Sequence, residues 1–221
     1  KLRTMVYDDP ITNNNKGLVV YENPQKEHDY IITVDVARGV GSDYSAFLVF
    51  DITKFPYRLV ARYRNNEIKA IMFPTIITDI AKGYNRAYVL TEVNDIGDQV
   101  ASMMHFDLEY DHILMCAMRG RAGQIVGTGF SGKKTQLGVK MSKTVKKVGC
   151  LNLKTFIEDD KLVIPDYETI AELTTFISKR DSFEAEEGCH DDLAMSVKES
   201  TMSRRIRLNR TWHHLVSSPM V

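Results

Sequence analysis

Cysteine is scarce in this 221-residue sequence: Cys116, Cys150 and Cys189 are odd in number, widely spaced and form no C-x-x-C pair. That excludes a disulfide framework and a structural zinc site, and it suits a reducing compartment. No apolar run approaches the roughly 20 residues of a membrane-spanning helix, and no signal peptide opens the chain, so no membrane partner is expected. Net charge is absent too, at a formal value of zero, which removes any global hint of a nucleic-acid partner. Nucleotide-binding loops are also missing. GTGFSGKKT carries Lys134 where a P-loop needs Ser or Thr for magnesium, and Gly127, Gly129 and Gly132 spell G-x-G-x-x-G with no helix pattern immediately behind them.

What the chain does have is an ordinary globular composition, 43% apolar and 26% charged, enough for one folded domain or a domain with an appendage. It opens on Lys rather than Met, so it is expected to be part of a longer protein. Its charge is segregated. From residue 119 to 150 there are eight basic residues (Arg119, Arg121, Lys133, Lys134, Lys140, Lys143, Lys146 and Lys147) and no acid, whereas Glu92 to Asp111 holds six acids and no base. A neutral protein patterned this way can grip phosphates and still keep an acidic centre.

The sequence is organised around YIITVDVARGVGSDYSAFLVFD, residues 30–51: two β-branched and aromatic runs joined by a glycine-containing turn, with Asp35 near the end of the first. A third strand near 56–64 makes an antiparallel meander. In it Leu59, Ala61 and Tyr63 alternate with Arg58, Val60, Arg62 and Arg64, which predicts a partly solvated face. Residues 1–26 read as a polar lead-in or linker with a short strand near 18–21. Past the meander the pattern predicts a helix over 68–84, begun or bent at Pro74, and a strand over 86–93 ending in Glu92. A helix capped by Asn94 and running to about Tyr110 comes next, then a strand over 112–118. Strands apolar throughout and alternating with helices predict parallel pairing with both faces covered. Residues 119–141 predict a basic, Gly-rich hairpin or mobile loop. Helices are expected over 142–156 and 167–180 and at HDDLAMSV, with a short strand at 161–164 and a basic tail at 201–221.

A carboxylate near the end of an apolar strand is costly unless it is paired, hydrogen-bonded or metal-bound. Asp35 and Glu92 each end such a strand. If the strands are parallel neighbours, the two acids share the edge where open α/β sheets place ligands. Asp191 and Asp192 begin a late helix whose apolar side would pack on the same sheet. Converging carboxylates do not all ionise cheaply without a cation, and hard divalent ions with oxygen ligands suit them. Two such ions about 4 Å apart activate water and stabilise the leaving oxygen of a phosphodiester. Any one of these acids could equally cap its own turn or helix. Adjacent helix positions lie about 100° apart, so only one of Asp191 and Asp192 faces the metals, and the apolar face does not settle which.

In chain order, VDVARGVGSDYSA, VLTEVND and GCHDDLAMS resemble the motifs of the nuclease domain of the large terminase subunit of tailed bacteriophages, over roughly residues 30–200. The resemblance implies an RNase H-like mixed sheet, an antiparallel three-strand meander followed by parallel strands, with helices on both faces and the nuclease unit at 27–200. It implies metal-dependent endonuclease cutting of concatemeric viral DNA during genome packaging, in the cytoplasm of an infected bacterial host. By motif, Asp35, Glu92 and Asp192 correspond to catalytic metal ligands for a pair of Mg²⁺ or Mn²⁺ ions, with Asp43 and Asp191 as adjoining acids. His190 would orient a phosphate or water, or else cap and pack. The family's ATPase motor has no motif in this sequence and is expected on another part of the protein. Portal and small terminase subunit are the implied partners. The eight basic residues would contact double-stranded DNA through its backbone, without sequence specificity. Two other readings stand beside this one: an actin-like ATPase, whose fold also opens on an Asp-tipped hairpin, and a non-catalytic DNA-clamp or docking module.

Overall fold

A computed structural model of the chain describes residues 1–37, 41, 44–93, 96–118, 123–128, 135–179, 182–186, 190 and 192–201, and of residues 3, 177–179, 182–185 and 192 the backbone alone. Asn14 makes the first turn: its side chain accepts hydrogen bonds from the Lys16 and Leu18 amides at 3.0 and 2.9 Å. Gly17 completes the turn at φ +97°, and a Cβ there would lie 2.2 Å from the Arg64 carbonyl oxygen, so only glycine fits. The resulting small hairpin, β1 (Thr12–Asn13) and β2 (Leu18–Val20), makes the polar opening segment a sheet edge.

The β-branched and aromatic runs form β3 (Tyr30–Asp35), β4 (Ser45–Asp51) and β5 (Tyr57–Asn65), an antiparallel meander as expected, with β2 added antiparallel along β5. Pro74, which has no N–H to offer, sits in the first turn of α1 (Phe73–Gly83), where none is needed. The chain then returns as β6 (Tyr88–Thr91), parallel to β3. α2 (Ile96–Ser102) is shorter than the sequence pattern suggests and runs on as a π turn at Met103–Asp107.

The expected further parallel strand, β7 (Leu114–Ala117), meets β6 through one parallel bridge, Val89 to Ile113. Its main partners are antiparallel: β8 (Ile125–Thr128) on one side and β9 (Thr135–Leu137) on the other. The glycine-rich stretch thus flanks β7, anchored by the buried Ile125 and Val139. α3 (Lys143–Glu158) starts on Ser142, whose hydroxyl accepts from the Val145 amide at 3.3 Å. β10 (Leu162–Val163) lies parallel to β5. α4 (Tyr167–Thr175) stops short of Arg180 because Phe176 takes extended backbone at φ −83°, ψ 106°. The run that follows is β11 (Phe176–Lys179), hairpinned with β12 (Ser182–Ala185); aromatic and β-branched side chains at 174–177 favour that outcome over more helix. α5 (Asp192–Ser200) follows.

The main sheet runs β1-β2-β5-β4-β3-β6, with β10 beside β5. Ile31, Leu48, Phe50 and Leu59 enter one core with Leu153, Phe156, Leu173, Leu193 and Val197 of α3, α4 and α5. Ile32, Val34, Phe47, Val49 and Tyr63 enter a second core with Phe73, Ile77, Val100 and Met104 on the α1 and α2 side. Burial of two opposite faces explains why these strands read as unbroken apolar runs. β5 keeps Arg58 and Arg64 partly exposed, as expected, but the middle of its arginine face is covered. Arg62 is only 7% exposed, and its guanidinium meets Asp166 at 2.9 Å and Glu168 at 3.0 Å. A register shift between Val49 and Phe50 further turns Val60 and Ala61 inward.

Candidate metal centre

The parallel register of β3 and β6 sets Val34 opposite Thr91, so the next residues, Asp35 and Glu92, stand side by side where the two strands end. The Glu92 amide donates to the Val34 carbonyl at 2.9 Å. On its other flank Glu92 bridges in parallel to Val139, whose amide donates to the Thr91 carbonyl at 2.8 Å. Two glycines allow this crowding. A Cβ at Gly138 (φ +80°) would lie 2.3 Å from the Thr91 oxygen, and one at Gly97 would lie 1.9 Å from the Glu92 oxygen. Both acidic side chains are half-buried.

α5 packs against β3 and β4, and Asp192 is its first residue. Asp43, Asp191, Arg119, Arg121, Lys133 and Lys134 lie outside the described residues. Lys140, Lys143 and Lys147 are exposed at and before the start of α3; Lys146 is half-buried, its ammonium 5.8 Å from the centre of the Phe176 ring. His190 stands edge-on to Tyr44 at 5.3 Å between ring centres. Among the described residues no three His, Cys, Asp or Glu side chains are grouped closely enough to hold a metal ion. Asp35 and Glu92 supply two carboxylates, and the side chain of Asp192 is not among those described.

One acid escapes the sequence analysis. Glu199, in the last turn of α5, is fully buried, and its carboxyl reaches that of Glu92. Burial pushes its pKa well above the ordinary 4.5. The Glu92 and Asp35 charges and a hydrogen bond with Glu92 push the same way, against the opposing pull of Lys198. Beyond that carboxyl contact with Glu92, neither Glu199 oxygen meets a donor among the described residues. Lys198, buried beside it, is shifted below its ordinary 10.5, first by burial and against the attraction of Glu199 and Glu92. Its ammonium contacts the sulfurs of Met141 at 3.3 Å and Met195 at 3.2 Å. The readable signal was spacing: Glu199 follows Asp192 by seven residues, which returns to within about 20° of the same helix face. Crowded, buried carboxyls of this kind suit a divalent cation.

The raised pKa has a signed consequence. Stability that Glu199 contributes by holding its proton is fully present below its unfolded value of 4.5 and is lost as pH rises through the raised folded value. Glu199→Gln, which has no proton to lose, should melt with wild type near pH 4.5 and increasingly above it at higher pH, in EDTA. A melting difference constant across pH would contradict this. Among the described residues the thiols are no more reactive: Cys116 is buried, which pushes it up to about 12, and burial raises Cys150 as well.

A mixed sheet opening on an antiparallel meander, with a parallel neighbour, acids at the shared strand end and helices on both faces, is an RNase H-like fold. Within that fold the chain belongs to the family described as the Terminase RNaseH-like domain, whose model matches residues 32–206. Solved structures agree on the fold. The large terminase nuclease from thermophilic phage G20c with bound magnesium is 20% identical, covers 92% of this chain and 94% of its own, and superposes with a TM-score of 0.68. The large terminase nuclease domain of Thermus phage P74-26 is 19% identical over 92% of this chain and 93% of its own, at 0.66. The manganese-soaked human cytomegalovirus terminase nuclease domain is 11% identical over 95% and 94%, at 0.51. Cobalt and zinc have also been bound to the G20c nuclease. Among the described residues no helix is long and apolar enough to cross a membrane.

Proposed function

We propose that this chain is the nuclease module of a terminase, a metal-dependent endonuclease that hydrolyses phosphodiester bonds of concatemeric viral double-stranded DNA during packaging. The observation that carries the reading is the register that sets Asp35 beside Glu92 at the end of the parallel strands β3 and β6, with α5, which begins at Asp192, packed on β3 and β4. Asp35, Glu92 and Asp192 are the catalytic carboxylates, with Asp43 and Asp191 adjoining. They would hold Mg²⁺ or Mn²⁺, as a pair of ions, which when bound supplies activation of water and neutralisation of the leaving oxygen. Position 192 lies about 20° from Glu199 around α5 and position 191 about 80°, which favours Asp192 as the acid on the Glu199 face. Glu199 itself, about 10 Å along the helix from position 192, is fully buried against Glu92.

DNA is held by backbone contacts from the basic block. An ATPase motor, portal and small subunit are the partners that membership in a terminase family suggests, in the cytoplasm of an infected host. The test is cleavage of supercoiled plasmid in Mg²⁺ or Mn²⁺ against an EDTA control. Metal-dependent nicking or linearisation supports the reading, and an uncut plasmid in both metals refutes it.

The salt dependence of binding examines the DNA surface separately. Each phosphate neutralised on duplex DNA contributes a slope of about −0.9 in log K against log salt. Only some of the eight charges reach one duplex together, so roughly three to five contacts and a slope near −3 to −4 are expected. Replacing Lys133, Lys134, Lys146 and Lys147 by Ala should flatten that slope and weaken binding about equally on unrelated sequences. An unchanged slope would move the DNA surface elsewhere.

A further inference from the structure

The first turn of α5 is held by a residue from another helix. The Glu172 carboxylate of α4 accepts the Leu193 amide at 2.8 Å and the Ala194 amide at 3.4 Å on one oxygen, Oε2. Its other oxygen, Oε1, pairs with the Arg64 guanidinium of β5 at 3.1 Å. These two amides follow Asp192 directly, and a helix start offers N–H groups that no residue within the helix can satisfy. Glu172 is 8% exposed, so the contact is shielded from water.

Arg64 extends the same connection to the sheet. It stands in the row of residues that runs Asp35, Ala46, Arg64 across β3, β4 and β5, so it shares the sheet edge with the first proposed ligand. Its guanidinium lies 4.0 Å over the Tyr44 ring and 3.5 Å from Glu168. Tyr44 in turn meets His190, two residues before Asp192. A negative side chain at a helix start that already carries acids would repel them on its own. The Arg64 charge offsets that repulsion, leaving the carboxylate free to bind the amides.

We infer that Glu172, backed by Arg64, is a positioning residue of the metal centre: it fixes the start of α5, and with it Asp192, relative to the sheet edge that carries Asp35 and Glu92. The inference rests on the proposed nuclease reading. Supporting groups one shell out from a metal typically change affinity or activity by about 10- to 100-fold when lost.

Glu172→Ala, Glu172→Gln and Glu172→Asp test this against wild type by three readouts: Mn²⁺ affinity from calorimetry, kcat and KM for plasmid cleavage, and melting temperature. Glu172→Ala should weaken Mn²⁺ binding and lower kcat by about tenfold or more, with KM for DNA little changed. Gln keeps the reach to the Leu193 amide but loses the ion pair. Asp keeps the charge, whose attraction to Arg64 survives a longer separation, but draws its carboxylate out of hydrogen-bond reach of the amides. Metal affinity should therefore rank Gln above Asp, whereas melting temperature should rank Asp at or above Gln. That opposition separates positioning from stability and needs only the two conservative variants, should Ala fail to fold. Metal affinity that follows melting temperature, or an Ala variant that folds and binds and cuts like wild type, overturns the inference while leaving the nuclease reading standing. A wild type that neither binds Mn²⁺ nor cuts DNA removes the nuclease reading and this role together.

Discussion

Asp35→Asn, Glu92→Gln and Asp192→Asn should each reduce DNA cleavage by more than about a hundredfold. Loss of an outer-shell partner already costs about 10- to 100-fold, and these substitutions remove proposed ligands. Asp35 and Glu92 are fixed as a pair by the β3–β6 register, so neither can be replaced by a shift of its neighbour. The fold should survive. Taking one negative charge from a crowded site relieves repulsion, so the metal-free melting temperature should stay level or rise. Asp191→Asn is the internal control and should keep measurable activity, because position 191 lies about 80° from the Glu199 face. Wild-type turnover in any of the first three variants would remove that residue from the centre. Loss in Asp191→Asn with retention in Asp192→Asn would put the α5 ligand one residue earlier.

Asp166→Ala should produce the largest loss of stability. This residue is 1% exposed, and its side chain gathers four hydrogen bonds: from the Tyr21 hydroxyl at 2.6 Å, the Arg62 Nε at 2.9 Å, the Thr169 amide at 2.7 Å and the Thr169 hydroxyl at 2.6 Å. Its removal uncaps α4, worth about 1 kcal/mol. It also leaves Arg62 buried beside the half-exposed Glu168 as its remaining ion-pair partner among the described residues. Breaking a buried pair from one side costs about 3–5 kcal/mol, a large share of the 5–15 kcal/mol of a typical domain. For a chain of this size the melting temperature should fall by on the order of 10 °C. Asp166→Asn, which keeps the cap and a hydrogen-bond acceptor for Arg62, should lose clearly less. A fall of only a degree or two in the Ala variant would mean that the Arg62–Asp166 pair contributes little.

These residues also show what a sequence reveals and what it hides. The meander was legible because β3 and β4 are continuous β-branched and aromatic runs, and Pro74 marked the start of α1 by its missing N–H. The Asp35–Glu92 pairing followed from two carboxylates ending apolar strands. The partly solvated face expected of β5 holds at Arg58 and Arg64 but not at Arg62, because the acids that cover Arg62 come from the start of α4, with Asp166 standing 104 residues away. Alternation within one strand carries no information about such a partner. α4 is shorter than its apolar spacing predicts, since Ile177 continues that spacing while the backbone at Phe176 turns to strand. Glu199 was missed for a different reason: an acid in the last turn of a polar-ended helix looks solvated until its spacing from Asp192 is counted.

The central claim is that Asp35, Glu92 and α5 together form a divalent-metal centre. Its most direct test is calorimetric titration of Mn²⁺ into wild type, Asp35→Asn and Glu92→Gln, each shown to be folded by its melting curve. The account predicts saturable binding to wild type, approaching two ions per chain, and loss of that binding in both variants. Mn²⁺ binding of equal affinity and stoichiometry in wild type and both variants would contradict it.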